Sequence, residues 1–342
     1  MMIAMSRMGS TMLAVLMTLL AMALGGCVTR LATPGPPVIR PTETPLAFVM
    51  SDGMALPYRV WTPVDQPPRK QPAAIVLALH GMNDSRDAWE IPGPEYAGAG
   101  ITLYAPDQRG FGATGARGYW PGGQALVNDA RTMARLLRAR HPGVPLYLMG
   151  ESMGAAVLMV LATSPDPPEV DGYVLSAPAV WGRAKMNVFL RGLLWSASRL
   201  TPGLVLTNRG YVKVTASDNR DALVRLSRDP LTIFGTRVDA VRGLVDLMDM
   251  ALAAAPVFPA RALFLYGGKD ELVPARATRA TWRALPADGP ARAYYPERYH
   301  LAMRDLGRGQ VIGDVVAWMR NHAAPLPSGA DRAARTWLAK EK

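Results

Sequence analysis

Cysteine is almost absent from this chain of 342 residues, in which Cys27 stands alone. A single cysteine excludes an intramolecular disulfide framework. No cluster of potential metal ligands is visible in the sequence either. With 49% hydrophobic and only 19% charged residues, we predict a domain held together by a sizeable apolar core.

Lysine is scarce: six of the 38 basic residues are lysine, and the rest are arginine. The net charge of +11 is scattered along the chain, and aromatic residues do not alternate with the arginines. A nucleic-acid surface would need a clustered basic patch, so we predict no nucleic-acid partner. We interpret the positive charge mainly as a compositional bias, and the alternative is attraction to an anionic membrane surface.

The apolar run at residues 11–24 is too short to cross a bilayer comfortably. It ends in Leu24-Gly25-Gly26-Cys27, which resembles a bacterial lipobox. That resemblance implies a signal peptide over residues 1–26 and acylation of Cys27, which anchors the protein in the cell envelope. Because valine follows Cys27, the outer membrane is favoured if the source is Gram-negative. A plain signal peptide or an uncleaved anchor are the alternatives.

Apolar runs alternate with amphipathic helical patterns along most of the chain, which predicts an α/β fold with a mostly parallel sheet and helices on both faces. The alternation breaks between residues 178 and 256, where apolar positions recur at helical spacing without a clear strand pattern. This stretch is interpreted as an inserted helical cap that either packs on the core or lines an acyl-binding slot. The predicted segments are a proline-rich tether (27–45), a core in two parts (46–177 and 257–324), the cap (178–256), and a tail (325–342) that is either helical or disordered.

Gly150-Glu151-Ser152-Met153-Gly154 lies between a predicted buried strand and a predicted buried helix. Glycines at both ends of this pentapeptide permit a tight strand-to-helix turn. Such a turn pushes the Ser152 hydroxyl out over the edge of the sheet, at a helix N-terminus where backbone N–H groups point outward. These are the features of a nucleophile elbow. The alternative is an ordinary strand-to-helix turn that matches the glycine–serine–glycine pattern by chance.

The chain has only four histidines, so a general base can be sought by elimination. His141 and His322 lie at the ends of predicted helices, and His80 is interpreted as a structural loop residue. His300 directly follows the last predicted strand, at the sheet edge where Ser152 is expected. We therefore predict His300 as the base that accepts the serine proton.

The acid that orients the base should also lie at a strand end, between the serine and the histidine. Asp270 meets both conditions, because it follows the predicted strand over residues 262–266. Glu271 and Asp239 remain as alternatives.

His80-Gly81 follows another predicted strand, at residues 73–79. In lipases an oxyanion hole takes one backbone N–H from the loop after this strand and one from the residue after the nucleophile. Here the two donors would be the N–H groups of Met82 and Met153.

Five motifs occur in an order similar to that of α/β-hydrolases: His80-Gly81, Asp107 to Gly112, Gly150 to Gly154, Gly268 to Asp270, and His300. With the cap, residues 46–324 resemble the branch of monoacylglycerol lipases, lysophospholipases and serine aminopeptidase-like proteins. The resemblance implies a Ser152/Asp270/His300 triad, a helical lid and an acyl-ester substrate. The predicted lipid anchor and the apolar cap favour an acylglycerol or a lysophospholipid as that substrate, and this chemistry needs no cofactor. Glu151 departs from the pattern, because many relatives have histidine there.

The residues Met82-Asn83-Asp84 also depart from the close lipases, which puts a monoacylglycerol preference in question. A peptidase or thioesterase using the same triad, and a non-catalytic binding lipoprotein, remain as alternatives. The oligomeric state is not determined by the sequence.

Overall fold

The computed structural model describes residues 29–63, 71–207, 214–259 and 261–340. The predicted signal peptide and Cys27 lie outside the described residues. In these four segments, no helix combines the length and apolar character needed to cross a bilayer.

A nine-stranded sheet forms the centre of the molecule, with the strand order β1-β2-β3-β5-β4-β6-β7-β10-β11. From β5 to β11 in this order, neighbouring strands are parallel, whereas β1, β2 and β3 join at one edge as antiparallel strands. Two further strands, β8 and β9, pair with each other outside this sheet. The strands are β1 (Thr42–Glu43), β2 (Ala47–Val49), β3 (Ala55–Trp61), β4 (Ala74–Leu79), β5 (Ile101–Pro106), β6 (Leu146–Glu151), β7 (Gly172–Ser176), β8 (Val205–Thr207), β9 (Gly235–Arg237), β10 (Ala262–Gly267) and β11 (Ala291–Tyr295).

Helices cover both faces of the large sheet. The helices are α1 (Pro92–Gly98), α2 (Gly123–Arg140), α3 (Met153–Ala162), α4 (Val188–Leu200), α5 (Arg220–Arg228), α6 (Val238–Ala254), α7 (Ala275–Ala284), α8 (Arg308–Arg320) and α9 (Ala330–Ala339). Helices α2, α3 and α6 pack in the core layer on one face, and α1 and α8 pack in the layer on the other. Because helices cover both faces, the central strands are apolar on both sides rather than alternating.

Strand β4 illustrates this double burial, because all six of its residues are buried. The side chains of Leu77 and Leu79 belong to the core layer with α2 and α3, whereas those of Val76 and Ala78 belong to the layer with α1 and α8. The continuous apolar run at residues 73–79 therefore predicted a buried parallel strand correctly.

The core was predicted to start at Leu46, but the sheet begins earlier, with β1 at Thr42. Thr42 pairs with Val49 as β1 joins the edge of the sheet, and the Ala32 N–H donates to the carbonyl of Trp120 over 2.9 Å. The described part of the predicted tether therefore packs on the domain. Proline is compatible with an edge position because it needs no ladder hydrogen bond there, so the prolines did not exclude this packing.

The cap is not wholly helical, in contrast to the prediction. It contains α4, α5 and α6, together with the antiparallel pair β8–β9, in which Val205 is opposite Arg237. Each of these strands is only three residues long, too short for a period-two pattern to stand out in the sequence.

The tail forms helix α9 and packs against strand β11, so the fold continues past residue 324. Trp337 stacks on Tyr294 with ring centroids 4.7 Å apart and also contacts the ring of Trp282. Of the two alternatives for residues 325–342, the structure has the helical one.

Candidate active site

Ser152 lies at the sharp turn between β6 and α3, with a positive φ of 53°. A Cβ atom on Gly150 would lie 2.5 Å from the backbone N of Ala155, and one on Gly154 would lie 2.4 Å from the carbonyl oxygen of Leu79. Real Cβ atoms do not approach backbone that closely, so sterics require both glycines. The strained serine and the two forced glycines have the form of a nucleophile elbow.

His300 and Asp270 are joined by a hydrogen bond of 2.8 Å between Nδ1 and Oδ2, and both side chains are buried. The other carboxylate oxygen of Asp270 accepts hydrogen bonds from the N–H groups of Leu272 and Val273. Asp270 is thus fixed by its own loop and in turn orients the imidazole.

The pKa of His300 depends on opposing effects. Burial alone would lower it, but the nearby carboxylates of Asp270 and Glu151 favour the imidazolium and hold the pKa above its ordinary value. This is the direction expected of a site that can stabilise a protonated imidazole.

The two alternative acids have other partners. Glu271 accepts a hydrogen bond from the N–H of Thr215, and Asp239 pairs with Arg237 in the cap. Of the three carboxylates considered from the sequence, Asp270 is the one that hydrogen-bonds to His300.

His80 supports the loop that follows β4. Its Nε2 accepts from the N–H of Gln108 over 3.0 Å, so its Nδ1 carries the proton and donates to the carbonyl of Gly81 over 2.8 Å. Burial lowers the pKa of His80, which keeps it neutral and suited to both bonds. The interpretation of His80 as a structural residue agrees with these contacts.

The remaining two histidines contact tyrosines in the described structure. His141 lies against the hydroxyl of Tyr104, and His322 against that of Tyr147.

The backbone around Met82 and Met153 has the placement expected of oxyanion donors. Met153 is the first residue of α3, where an N–H has no acceptor within its own helix. A Cβ on Gly81 would lie 3.4 Å from the Cβ of Ser152, so the loop that carries Met82 passes directly against the serine. The oxyanion donors and the triad both stay predictions.

A cavity of about 730 Å³ opens over these residues, and Ser152, His300 and Met82 all line it. Its wall on the cap side is largely apolar. The cap residues that provide this apolar wall are Val214, Leu223, Leu226, Phe234, Leu244 and Met248. Helix α6 also packs on α3, so apolar residues of the cap both pack on the core and line this cavity. That the cavity binds an acyl chain stays a prediction.

The loop from Asp107 to Gly112 serves as scaffold. The carboxylate of Asp107 accepts from the backbone N–H groups of Arg86 and Ala113, and a Cβ on Gly112 would overlap that carboxylate. The next side chain of interest, Arg109, is buried and pairs with Asp52 and Asp129. None of these residues lines the cavity above Ser152.

One group beside the site escaped the sequence reasoning. Arg304, four residues after His300, is buried and forms ion pairs with both Asp84 and Glu151. Glu151 was visible as a departure inside the serine motif, but no pattern in the sequence connects it with Arg304. Within the described segments, no group of three or more histidine, cysteine or acidic residues is arranged to hold a metal ion.

The model of one protein family, described as serine aminopeptidase, S33, matches residues 70–307 of this chain. The chain belongs to the S33 family. This S33 protein is 26% identical over 287 residues to a monoacylglycerol lipase of Mycolicibacterium smegmatis, a match that covers 83% of this chain and all of the relative. It is 24% identical to the monoglyceride lipase of Mus musculus, covering 82% and 92% of the two chains.

Solved structures give the same picture of the fold. The monoacylglycerol lipase of Paleococcus ferrophilus superposes with a TM-score of 0.64 at 25% identity, over 78% of this chain and 99% of the other. A soluble variant of the Saccharomyces cerevisiae monoglyceride lipase superposes with a TM-score of 0.67 at 17% identity, over 85% and 100%. The predicted α/β-hydrolase fold is confirmed for this S33 protein.

Proposed function

We propose that this S33 protein is a serine hydrolase of carboxylic acyl esters, with Ser152 as nucleophile, His300 as general base and Asp270 as the acid that orients it. The observation that carries the proposal is the 2.8 Å bond between His300 and Asp270 at the wall of the cavity that Ser152 also lines. The relatives named as monoacylglycerol lipases favour ester chemistry over the peptidase name of the family.

In this mechanism His300 takes the proton of Ser152 as its oxygen attacks the ester carbonyl. The N–H groups of Met82 and Met153 stabilise the oxyanion of the tetrahedral intermediate, and each donor is worth about 3 kcal/mol in enzymes of this type. His300 then protonates the departing alcohol, and water hydrolyses the acyl-enzyme by the same steps. Asp270 holds the imidazole in the tautomer with its proton on Nδ1 and stabilises the imidazolium.

The cavity supports an acyl-chain substrate, an acylglycerol or a lysophospholipid. Its volume falls within the range of about 300–1,000 Å³ typical of small-molecule sites, and the cap makes its wall mainly apolar.

An aminopeptidase would need a carboxylate free to hold the substrate amine. The acidic residues that line this cavity are Asp84 and Glu151, and both are engaged by Arg304. This arrangement favours the ester over the peptide substrate.

We also propose that Cys27 carries lipid and anchors the protein in a bacterial cell envelope. In this arrangement the cap faces the bilayer. Exposed apolar side chains on α4 support this orientation: Val188, Phe189, Leu193, Trp195 and Leu200. Arg191 lies on the same helix, and the guanidinium of Arg199 stacks over the ring of Trp195, so basic groups accompany the apolar ones. Such a combination suits an anionic lipid surface.

The decisive experiment compares the full-length protein with its Ser152→Ala variant, both in detergent, on a series of glycerol and p-nitrophenyl esters of increasing chain length. We expect wild-type turnover with a preference for chains long enough to fill the apolar cavity, and a loss of at least about 10⁴-fold in Ser152→Ala. A fluorophosphonate probe should label only the wild type. Turnover of aminoacyl amides or thioesters without turnover of oxygen esters would contradict the proposal, as would full activity in Ser152→Ala.

The acid is assigned by a matched pair of variants. Asp270→Asn should lower kcat by about 10⁴-fold because the histidine loses its orienting carboxylate. Asp239→Asn, which changes the alternative acid in the cap, should stay within a few-fold of wild type. The reverse result would reassign the acid.

A further inference from the structure

One guanidinium, that of Arg304, links three segments of the candidate active site. Nη2 of Arg304 donates to Oδ2 of Asp84 over 2.6 Å and to Oε1 of Glu151 over 2.7 Å. Asp84 belongs to the loop that carries Met82, Glu151 is the last residue of β6 and immediately precedes Ser152, and Arg304 belongs to the loop that carries His300. The oxyanion donor, nucleophile and base are therefore connected through a single side chain.

This cluster is buried. The exposed fractions of Arg304, Asp84 and Glu151 are 5%, 7% and 3%. Burial raises the pKa of Glu151, while Arg304 acts in the opposite direction and favours the carboxylate. The two short ion pairs to one guanidinium fix its orientation.

Stability alone does not account for such a cluster. Replacing a buried ion pair by well-packed apolar residues is often neutral or stabilising, because desolvation of the charges offsets their attraction. In the described part of the chain, the Nε of Arg304 is in addition buried without a hydrogen-bond partner. An energetically costly group beside a reactive serine points to a role at the site.

The charges of Glu151 and Arg304 act on the pKa of His300, the proposed base. His300 is surrounded by Asp270 and Glu151, which favour its protonated form, and by Arg304, which disfavours it. Glu151 is surrounded by Arg304, Asp84 and His300. Its side chain also lies beneath the oxyanion loop, since a Cβ on Gly81 would be 4.0 Å from Oε1 of Glu151.

We propose, on the premise of the proposed function, that Glu151 is a positioning residue for ester hydrolysis. Through Arg304 it holds the loops of Met82 and His300 in register with Ser152. Its negative charge also supports the imidazolium that forms when the serine proton moves to His300, acting alongside Asp270. Glu151 itself does not exchange a proton with the substrate.

The test is Glu151→Gln in the full-length protein, which keeps the shape of the side chain and removes its charge. We expect kcat to fall by about 10-fold or more with KM nearly unchanged, because the loss is felt in the transition state. The acidic midpoint of the kcat/KM profile should move to lower pH by at least about half a unit. The direction follows because an imidazole that loses a nearby negative charge stays neutral at lower pH.

Glu95→Gln is the matched control, since Glu95 forms an ion pair of 2.6 Å with Arg308 outside the cavity. It should leave both kcat and the pH profile unchanged. Thermal unfolding by circular dichroism identifies any variant that fails to fold.

Two further variants keep the proposal testable if Glu151→Gln is unstable. Glu151→Asp keeps the charge and should restore the acidic midpoint while kcat remains reduced. Asp84→Asn weakens the other ion pair of Arg304. It should lower kcat, with a smaller shift of the acidic midpoint.

Wild-type kcat and an unmoved midpoint in folded Glu151→Gln would overturn the inference, and so would equal losses in the Glu95→Gln control. Wild-type kcat in Asp84→Asn would refute the claim that Arg304 positions the loop of Met82 through its ion pair with Asp84. Failure of the proposed function is recognised separately, because then the wild type itself does not cleave esters or Ser152→Ala still does.

Discussion

At the scale of single residues, the serine turn is set by what its flanking positions exclude. Gly154 lies where any side chain would meet the carbonyl oxygens of Leu79 and His80, at 2.4 Å and 2.8 Å. Those carbonyls lie at the last residue of β4 and at the residue after it, where the loop that carries Met82 begins. The same glycine therefore controls both the position of Ser152, the proposed nucleophile, and its distance from the loop that carries Met82.

Gly154→Ala should destabilise the protein by about 1–3 kcal/mol, because the backbone on both sides must move to admit a methyl group. Ester hydrolysis should fall with it, since the movement separates Ser152 from the Met82 loop. Gly313→Ala is the control: Gly313 is exposed within α8 with open space around its Cβ position, and alanine there should stabilise the helix by about 0.5–1 kcal/mol. Urea unfolding of the two variants measures both effects, and equal free energies of unfolding would refute the steric interpretation.

At the scale of secondary-structure elements, α9 closes one end of the molecule. Trp337 packs into an aromatic cluster with Tyr266, Trp282 and Tyr294, and the guanidinium of Arg279 lies 4.3 Å from its ring. Strand β11, against which α9 packs, is the last strand before the loop of His300. The terminal helix therefore supports the strand that delivers the proposed base.

Trp337→Ala should cost about 3–5 kcal/mol of unfolding free energy, as for other buried tryptophans. Trp195→Ala provides a comparison of the same chemistry on an exposed helix, where the change should stay within about 0.5 kcal/mol. Thermal and urea unfolding would distinguish the two. If Trp337→Ala lost no more than about 0.5 kcal/mol of unfolding free energy, as expected for Trp195→Ala, α9 would be dispensable for the core.

At the scale of the whole molecule, the described chain begins close to the cap. The N–H of Arg30 donates to Asp239 of α6, and Ala32 bonds to Trp120. Cys27 precedes Arg30 by three residues, so the lipid proposed there would be attached to the chain close to this contact with the cap.

Cys27→Ala in a bacterial host should abolish incorporation of labelled palmitate and shift the protein out of the membrane fraction, because one remaining contact gives only weak, reversible binding. Phe189→Asp, on the exposed face of α4, should keep the lipid label and reduce activity on vesicle-borne esters more than on soluble short-chain esters. Palmitate labelling that persists in Cys27→Ala would contradict the lipoprotein assignment.

Some of the site was accessible to sequence reasoning because its residues act through local rules. Glycines around Ser152 and strand ends before Asp270 and His300 are local signals, and parallel strands bring their carboxyl ends to one edge. Strands buried on both faces gave continuous apolar runs, so the strands that precede His80, Ser152 and Asp270 were predicted. The short cap strands and the early start of the sheet were missed, because edge pairings of two or three residues leave no periodic pattern.

By itself, then, the sequence determined the α/β order, the position of the serine turn and the small set of histidines and acids from which a base could be chosen. Only the tertiary structure decided which acid meets His300, how the cap encloses an apolar cavity, and that Arg304 joins Asp84 and Glu151 beneath the site. The physical reason is distance along the chain: elements follow from neighbouring residues, whereas ion pairs between loops far apart in sequence form only when the sheet brings those loops to one edge.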